Sequence, residues 1–157
     1  MAFDPRIHTT RRTSIVNALV EALKAIDGTG NYLVDVDRNV YPHLKFWDEV
    51  KVFPAIHVVA GTETREYQGD GYRDRFLNVS IWVYVDSPNS ATELLDALIE
   101  DVETVIETQS RARMPYIDKT GNTQNIQLMG ITQIVTDEGA LNTEGLAVGE
   151  ITVEVRY

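Results

Sequence analysis

The sequence predicts an α+β fold: a single mainly antiparallel or mixed twisted sheet of about five strands, with two α-helices packed on one face and a long protruding β-hairpin. Two segments place apolar residues at helical spacing, and several others alternate apolar and polar residues with the period of a strand. Two of the longest strands flank a Gly-Asp-Gly tip. The resulting order α-β-β-β-α-β-β favours an α+β domain with both helices on one side of the sheet.

Composition indicates one globular domain, residues 1–157, with no interdomain linker or internal repeat. Cysteine is absent, which excludes a disulfide framework and zinc–thiolate sites. No apolar run approaches the roughly 20 residues that span a bilayer, and the first residues lack the apolar stretch of a signal peptide. We therefore expect no membrane partner and synthesis in the cytoplasm. The formal charge of −10 argues against a surface that wraps nucleic acid.

The first helix is predicted over residues 13–26, where one stripe carries the apolar residues Ile15, Leu19, Leu23 and Ile26. Thr13 or Ser14 is the expected N-cap, although a start nearer residues 4–5 also agrees with the pattern. The segment NYLVDVDRNVY, residues 31–41, alternates as a half-buried strand does. Two long strands follow, over residues 55–67 and 72–85.

The second helix is predicted from Ser90, which with Glu93 forms a capping box, to about Gln109. Its expected outer face is acidic and carries Glu93, Asp96, Glu100, Asp101, Glu103 and Glu107. Residues 110–127 have the composition of a loop, and two strands over residues 128–137 and 146–157 complete the chain.

The stretch TETREYQGDGYRDRF, residues 62–76, is a charged hairpin between two apolar runs. If Tyr67 faces Tyr72, opposite charges meet at Glu66–Arg73 and Arg65–Asp74, and Val58 faces Ile81 farther down. A shift of one residue sets Arg65 against Arg75 and Glu66 against Asp74, which is repulsive, whereas a second shift sets Glu66 against Arg75 and is again attractive. Two registers therefore remain open. In either one, residues 62–76 are predicted to lie outside the core of the subunit, as a solvated protrusion or as an arm that packs on a neighbour.

Catalytic, metal and cofactor sites are not predicted. The segment DVDRN, residues 35–39, begins like a calcium loop, but Val40 and Phe46 occupy the positions that require Gly and Glu. The three histidines lie on different elements without ligand spacing, and no nucleophile elbow is present. We therefore expect a protein that is not an enzyme and needs no cofactor.

Five stretches, in this order, resemble the tail terminator proteins of siphophages, the phages with long, flexible tails. They are RTSIVNALV, FPAIHVVAGTETREY, FLNVSIWVYV, ELLDALIEDVETVIET and ITQIVTDEGALNTEGLAVGEITVEVRY. The resemblance covers most of the chain and is weakest over residues 27–50 and 110–127. It depends on the ordered set, because no single motif is diagnostic.

The resemblance implies a virion protein at the head–tail junction, made in the cytoplasm of the host bacterium. Such a protein forms a hexameric ring on the finished tail tube, ends tube polymerisation and offers a surface to the head. The implied partners are other copies of the chain, the tail tube protein and a head-completion or connector protein. An alternative is another head–tail connector or tail completion protein built on the same α+β unit. The candidate residues for contacts with neighbouring subunits or the tube are Glu63, Arg65, Glu66, Asp70, Arg73, Arg75, Asp137 and Glu138.

A ring of this kind encloses a channel that DNA crosses. Negative walls do not bind phosphates, so an acidic lining lets DNA pass without specific binding. The acidic face of the second helix is a candidate for that lining, through Glu100, Glu103 and Glu107.

Overall fold

The computed structural model describes residues 9–46, 48–137 and 145–157. The elements are α1 Arg11–Leu23, β1 Val40–Tyr41, β2 Ala55–Tyr67, β3 Arg73–Asp86, α2 Ala91–Arg111, β4 Pro115–Ile117, β5 Thr123–Asn125, β6 Leu128–Thr136 and β7 Leu146–Arg156. Five strands form the main sheet in the order β1-β2-β3-β7-β6, with β1 parallel to β2 and every other neighbouring pair antiparallel. β4 and β5 form a separate two-stranded sheet. The predicted α+β fold with two helices and a five-stranded, mainly antiparallel sheet is confirmed.

Both helices contribute to one apolar core with alternate residues of β2, β3 and β7. Ile81 of β3 and Ile151 of β7 lie opposite each other at its centre and are fully buried. Fully burying side chains of this size stabilises the fold by about 1.5–3 kcal/mol each. The core therefore joins both helices to one face of the sheet. Among the described residues, no helix covers the other face.

α1 begins earlier than residue 13, and both predicted N-caps are wrong. Thr10 is the N-cap, because its Oγ1 accepts a hydrogen bond from the backbone N–H of Thr13 at 3.1 Å. Ser14 lies inside the helix, and its Oγ accepts from the N–H of Ile117 at 2.7 Å. The hydroxyl of Ser14 therefore connects α1 to β4.

The predicted strand over residues 31–41 is reduced to Val40 and Tyr41. Asp37 and Arg38 have φ values of 49° and 60°, and this left-handed backbone interrupts any strand. Val34 and Val36 are nevertheless buried. The apolar–polar alternation of this segment therefore predicted the burial of these residues correctly and their secondary structure wrongly.

α2 extends two residues past the predicted end, to Arg111, and Ser90 makes no side-chain cap to its backbone. The predicted exposure of Asp101 is wrong, since this residue is 1% exposed. Its carboxylate accepts three hydrogen bonds of 2.8–3.0 Å from the backbone N–H groups of Leu33 and Val34. A carboxylate on α2 thereby fixes the irregular segment that follows α1.

Residues 110–127, predicted to be a loop, contain the β4–β5 hairpin. Three side chains of this segment, Met114, Tyr116 and Ile126, are buried in the core. The turn is organised by Asp118, whose Oδ1 accepts from the backbone N–H groups of Thr120 and Asn122. Burial of these apolar residues explains why the segment is ordered despite its polar composition.

The β2–β3 hairpin follows the predicted register near the core and departs from it near the tip. Ile56 lies opposite Val83, and Val58 opposite Ile81, as predicted. Beyond Ala60 a β-bulge places two residues, Gly61 and Thr62, against the single residue Asn78. From Glu63 onward the register is therefore shifted by one.

The shifted half of the hairpin has the pairing that charge repulsion was expected to exclude. Arg65 lies opposite Arg75, and Glu66 lies opposite Asp74. The bulge turns Glu63 toward the helix side of the sheet, where Leu77 is its cross-strand neighbour. Exposed cross-strand ion pairs contribute only about 0.2–1 kcal/mol each, so the hydrogen bonds that Glu63 accepts on that side decide the register.

Candidate assembly surfaces

The hairpin is anchored to the domain through the carboxylate of Glu63, whose side chain is 5% exposed. Tyr157 donates its phenolic O–H to Oε1 of this carboxylate. Arg65 donates from Nε to Oε2 at 2.6 Å, and a guanidinium nitrogen of Arg12 lies 3.9 Å from Oε1. Arg12 also donates to the carbonyl oxygen of Gly61 at 2.7 Å. The bulge is thus held by α1, by β2 itself and by the residue after β7.

These contacts explain the ionisation of Glu63. Burial alone would raise the pKa of its carboxyl group, but the hydrogen bonds from Tyr157 and Arg65, with the charges of Arg65 and Arg12, hold that pKa below 4.5. Burial, and next to it the hydrogen bond to the Glu63 carboxylate, raise the pKa of Tyr157 to about 12. Glu63 is therefore a charged, structural carboxylate at neutral pH.

Three of the four like charges that face each other across the hairpin have another partner among the described residues. Arg65 binds Glu63, whereas Arg75 lies over the ring of Tyr157, 5.5 Å from its centroid. Asp74 forms an ion pair with Arg156 at 3.0 Å. Because these three charges interact with other groups, the repulsive pairing is tolerated.

The projecting part of the hairpin is residues 64–73, here called the arm. All its residues are exposed, including Tyr67 (69%) and Tyr72 (73%). β7 reaches only as far as Phe76, so within the described chain no third strand pairs with the arm. The described core clusters contain none of residues 62–76, as predicted, although the side chain of Glu63 at the base is only 5% exposed.

Among the predicted contact residues, Glu66, Asp70 and Arg73 lie on the arm, and Arg73 stacks over Tyr67 at 5.3 Å. Arg65 lies on the arm and also donates a hydrogen bond to Glu63 at the base of the arm. Asp137 lies at the other end of the sheet, beyond β6, where its N–H donates to the carbonyl of Val148 at 3.0 Å. Glu138 is outside the described residues. The predicted set therefore divides between two ends of the molecule.

A basic concavity lies where the start of α1, the base of the hairpin and the β4–β5 turn meet. Its cavity volume is about 570 Å³, and we call it the cation pocket. The cationic residues of its lining are Arg11, Arg12, Arg65, Arg75 and Lys119. The carboxylates nearby are already engaged, since Glu63 binds Arg65 and Asp118 accepts hydrogen bonds within its own turn. Within the described residues, no carboxylate lies within 4.0 Å of Arg11, Arg75 or Lys119.

The exposed carboxylates of α2 form a single stripe at spacings of three and four residues. The stripe consists of Glu93, Asp96, Glu100, Glu103 and Glu107, all exposed. Glu107 lies 4.0 Å from Arg111, and the other four have no ion pair with a described residue. The three residues predicted to face a channel therefore share one solvent-facing surface.

The helix-free face of the sheet carries an apolar concavity of about 310 Å³. Its lining is Leu44, Lys45, Phe46, Trp82, Tyr84 and Val148. Sequence reasoning missed this surface and the cation pocket, because both join residues that are distant in the chain. The sequence does contain one signal for the apolar concavity, since Trp82 and Tyr84 alternate along β3 with residues of the core. Nothing in the sequence brings Arg11, Arg75 and Lys119 together.

Within the described part of the chain, no three His, Asp or Glu side chains form a group able to hold a metal ion. His43 and His57 do come together, with ring centroids 5.4 Å apart, but Nδ1 of His57 bonds to the carbonyl of His43 at 2.7 Å. Burial lowers the pKa of His57. No helix among the described residues is long and apolar enough to cross a bilayer.

Comparison with known proteins identifies the class to which this fold and these surfaces belong. The model of the family described as Bacteriophage Tail Tube Terminator Protein matches residues 9–157. The chain therefore belongs to the tail tube terminator family and is a structural protein of a phage virion, which confirms the resemblance found in the sequence.

A relative and a solved structure agree with this assignment. The chain is 36% identical over 151 residues to the tail tube terminator protein p142 of Escherichia phage T5, covering 93% of this chain and 92% of p142. A chain in the virion of a native gene transfer agent particle superposes with a TM-score of 0.55 at 11% identity, covering 91% of this chain and 93% of that one. At that identity the second likeness supports the fold alone.

Proposed function

We propose that the chain assembles as a closed homohexameric ring on the end of the completed tail tube, where it stops the addition of tube subunits. The ring also presents the surface to which the head-completion or connector protein binds. The single observation that carries this proposal is the arm, a hairpin that is anchored at its base through Glu63 and whose residues are all exposed.

The anchoring favours a role in docking. A closed ring requires two different surfaces on each subunit that meet head to tail. A hairpin held at its base by Glu63 and Tyr157 presents Tyr67 and Tyr72 in a fixed direction. Exposed tyrosines are typical anchors of protein interfaces, because they bury a large area at small cost in conformational entropy. The arm therefore suits one of those two surfaces.

A length assay tests the termination role. Purified chain is added to polymerising tail tube subunits, and tube lengths and ends are measured by electron microscopy. We expect shorter tubes with a ring on one end. The double substitution Tyr67→Ser and Tyr72→Ser should reduce ring occupancy, whereas Leu33→Ser, another exposed apolar residue, should not. Equal ring occupancy for the two variants would show that the arm is not part of the interface.

The acidic stripe supports a second element of the proposal, a negative channel wall containing Glu100, Glu103 and Glu107. Replacing Glu100 and Glu103 by Lys should leave rings on tubes but slow DNA passage, measured as ejected genome per virion. The matched control is Asp48→Lys with Glu49→Lys, the same charge change in the exposed loop before β2. Normal ejection by the α2 variant would exclude this lining.

A further inference from the structure

A cluster of cations and a cluster of carboxylates lie at opposite ends of the molecule. α1, which runs away from the hairpin, begins beside the cation pocket, and the arm projects from the same end. α2 begins at the opposite end, directly after β3 leaves the sheet at Asp86. Its first two turns expose Glu93 and Asp96, and Asp86 is exposed close by. We call Asp86, Glu93 and Asp96 the acidic end.

From this arrangement we infer that the cation pocket is a carboxylate-binding site that receives the acidic end of a second copy of the chain. The inference deepens the proposed ring and rests on it. It names the residues on both sides of the head-to-tail contact, which the fold of a single subunit does not otherwise specify.

The composition of the pocket indicates carboxylates as its ligands. Three of its cations, Arg11, Arg75 and Lys119, have no carboxylate partner within 4.0 Å among the described residues. The pocket draws on three separate elements, so it is a concave site and not a solvated helix face. Arginine guanidinium groups bind carboxylates with two parallel hydrogen bonds, which gives such a contact a defined geometry.

Charge complementarity favours a second copy as the occupant. Each subunit has a net charge of −10, so bringing copies together is opposed by repulsion unless positive and negative surfaces meet. Glu93 and Asp96 have no cation partner within 4.0 Å among the described residues. The pocket and the acidic end are two different surfaces of one subunit, as a heterologous contact requires. This arrangement leaves Glu100 and Glu103 free for the channel wall.

Charge reversal on both sides tests the inference. The pocket variant carries Arg11→Glu and Lys119→Glu, two positions without ion pairs to described residues. Glutamate in the first turn of α1 is compatible with the helix dipole, so the fold should be retained. Ring occupancy on tube ends at low salt should fall by about tenfold or more, because reversed charges at a close contact repel.

Restoring complementarity should then restore assembly. Adding Glu93→Lys and Asp96→Lys to the pocket variant should return ring occupancy to within about threefold of the original chain, since attraction is re-established. The matched control adds Glu100→Lys and Glu103→Lys instead, which makes the same change of net charge on the same helix. We expect no recovery for this control. Thermal unfolding of every variant checks that the domain is intact.

A second measurement does not depend on substitution. On assembled tube ends, carbodiimide cross-linking should join Lys119 of one copy to Glu93 or Asp96 of another, identified by mass spectrometry of mixed isotope-labelled copies. Wild-type occupancy for the pocket variant, absence of rescue, or equal rescue by the control would each overturn the inference while leaving termination by the original chain intact. Failure of the original chain to occupy tube ends would overturn the proposed ring, and the inference with it.

Discussion

The phenolic O–H of Tyr157 donates to the carboxylate of Glu63, so the residue after the last strand closes onto the bulge at the base of the arm. The carboxylate is buried and also bound by Arg65 at 2.6 Å. This contact links the end of β7 to the direction in which the arm projects.

Removing the hydroxyl with Tyr157→Phe should lower the free energy of unfolding by about 1–2 kcal/mol, because a buried charged acceptor loses a donor. The measurement is urea unfolding at neutral pH. Tyr72→Phe, which removes a hydroxyl from an exposed side chain, is the matched control and should change stability by less than about 0.5 kcal/mol. Equal stability of the two variants would contradict a structural role for the contact.

Acid should weaken the β4–β5 turn. Hydrogen bonds from Thr120, Gln124 and Asn122 lower the pKa of Asp118 from 3.8 to about 2 despite partial desolvation, with Thr120 the largest cause. A depressed pKa in the folded state contributes stability above the unfolded pKa, and this is lost as the pH falls from about 4 to about 2.

Asp118→Asn should therefore be less stable than the original chain at pH 7 and lose less stability on acidification. Chemical unfolding at a series of pH values tests this. If the stability of the two proteins changed equally with pH, the pKa of the Asp118 carboxyl group would be the same in the folded and the unfolded chain. That result would contradict the prediction.

Asp101→Ala should destabilise the domain by about 2–4 kcal/mol, because it leaves the N–H groups of Leu33 and Val34 without their buried acceptor. Glu100→Ala, the preceding residue on the exposed stripe, should change stability by less than about 0.5 kcal/mol. Thermal unfolding measured side by side distinguishes them. A small effect at both positions would mean that Asp101 does not hold the segment after α1.

α2 packs tightly against the sheet at Gly149 of β7. A Cβ there would lie 3.1 Å from Cγ2 of Val83 and 3.5 Å from methyl groups of Leu95 and Ile99. Gly149→Ala should therefore cost about 1–3 kcal/mol through overpacking.

The control for this substitution is Gly130→Ala on β6, where an added Cβ would meet nothing within 4 Å. Its stability should be unchanged or slightly increased, because alanine restricts the unfolded chain. A Gly149→Ala variant as stable as this control would show that α2 can move away from the sheet at low cost.

Local periodicity was sufficient to predict α2 and the half of the hairpin near the core. Apolar residues recur along α2 at helical spacing, and Val58 and Ile81 pair because one face of both strands is buried. The bulge was not predictable in this way. It depends on Glu63 meeting Arg12 and Tyr157, which lie 51 and 94 residues away in the chain.

Two other errors have the same origin. Asp101 matches the exposed pattern of its helix, but its partners are backbone groups 67 and 68 residues distant. Residues 110–127 have a polar composition, but Tyr116 and Ile126 pack into the core. The cation pocket combines three elements and carries no local signal at all. Features built from contacts between distant segments were therefore missed, and features built from local periodicity were found.

Tube length is the measurement that tests the central claim most directly. Tail tube subunits are polymerised with increasing amounts of the purified chain, and the length distribution is measured by electron microscopy. The proposed function predicts a mean length that falls as the ratio of chain to tube subunit rises, with a six-fold ring on one end of each shortened tube. An unchanged length distribution, with bare tube ends at every ratio, would contradict it.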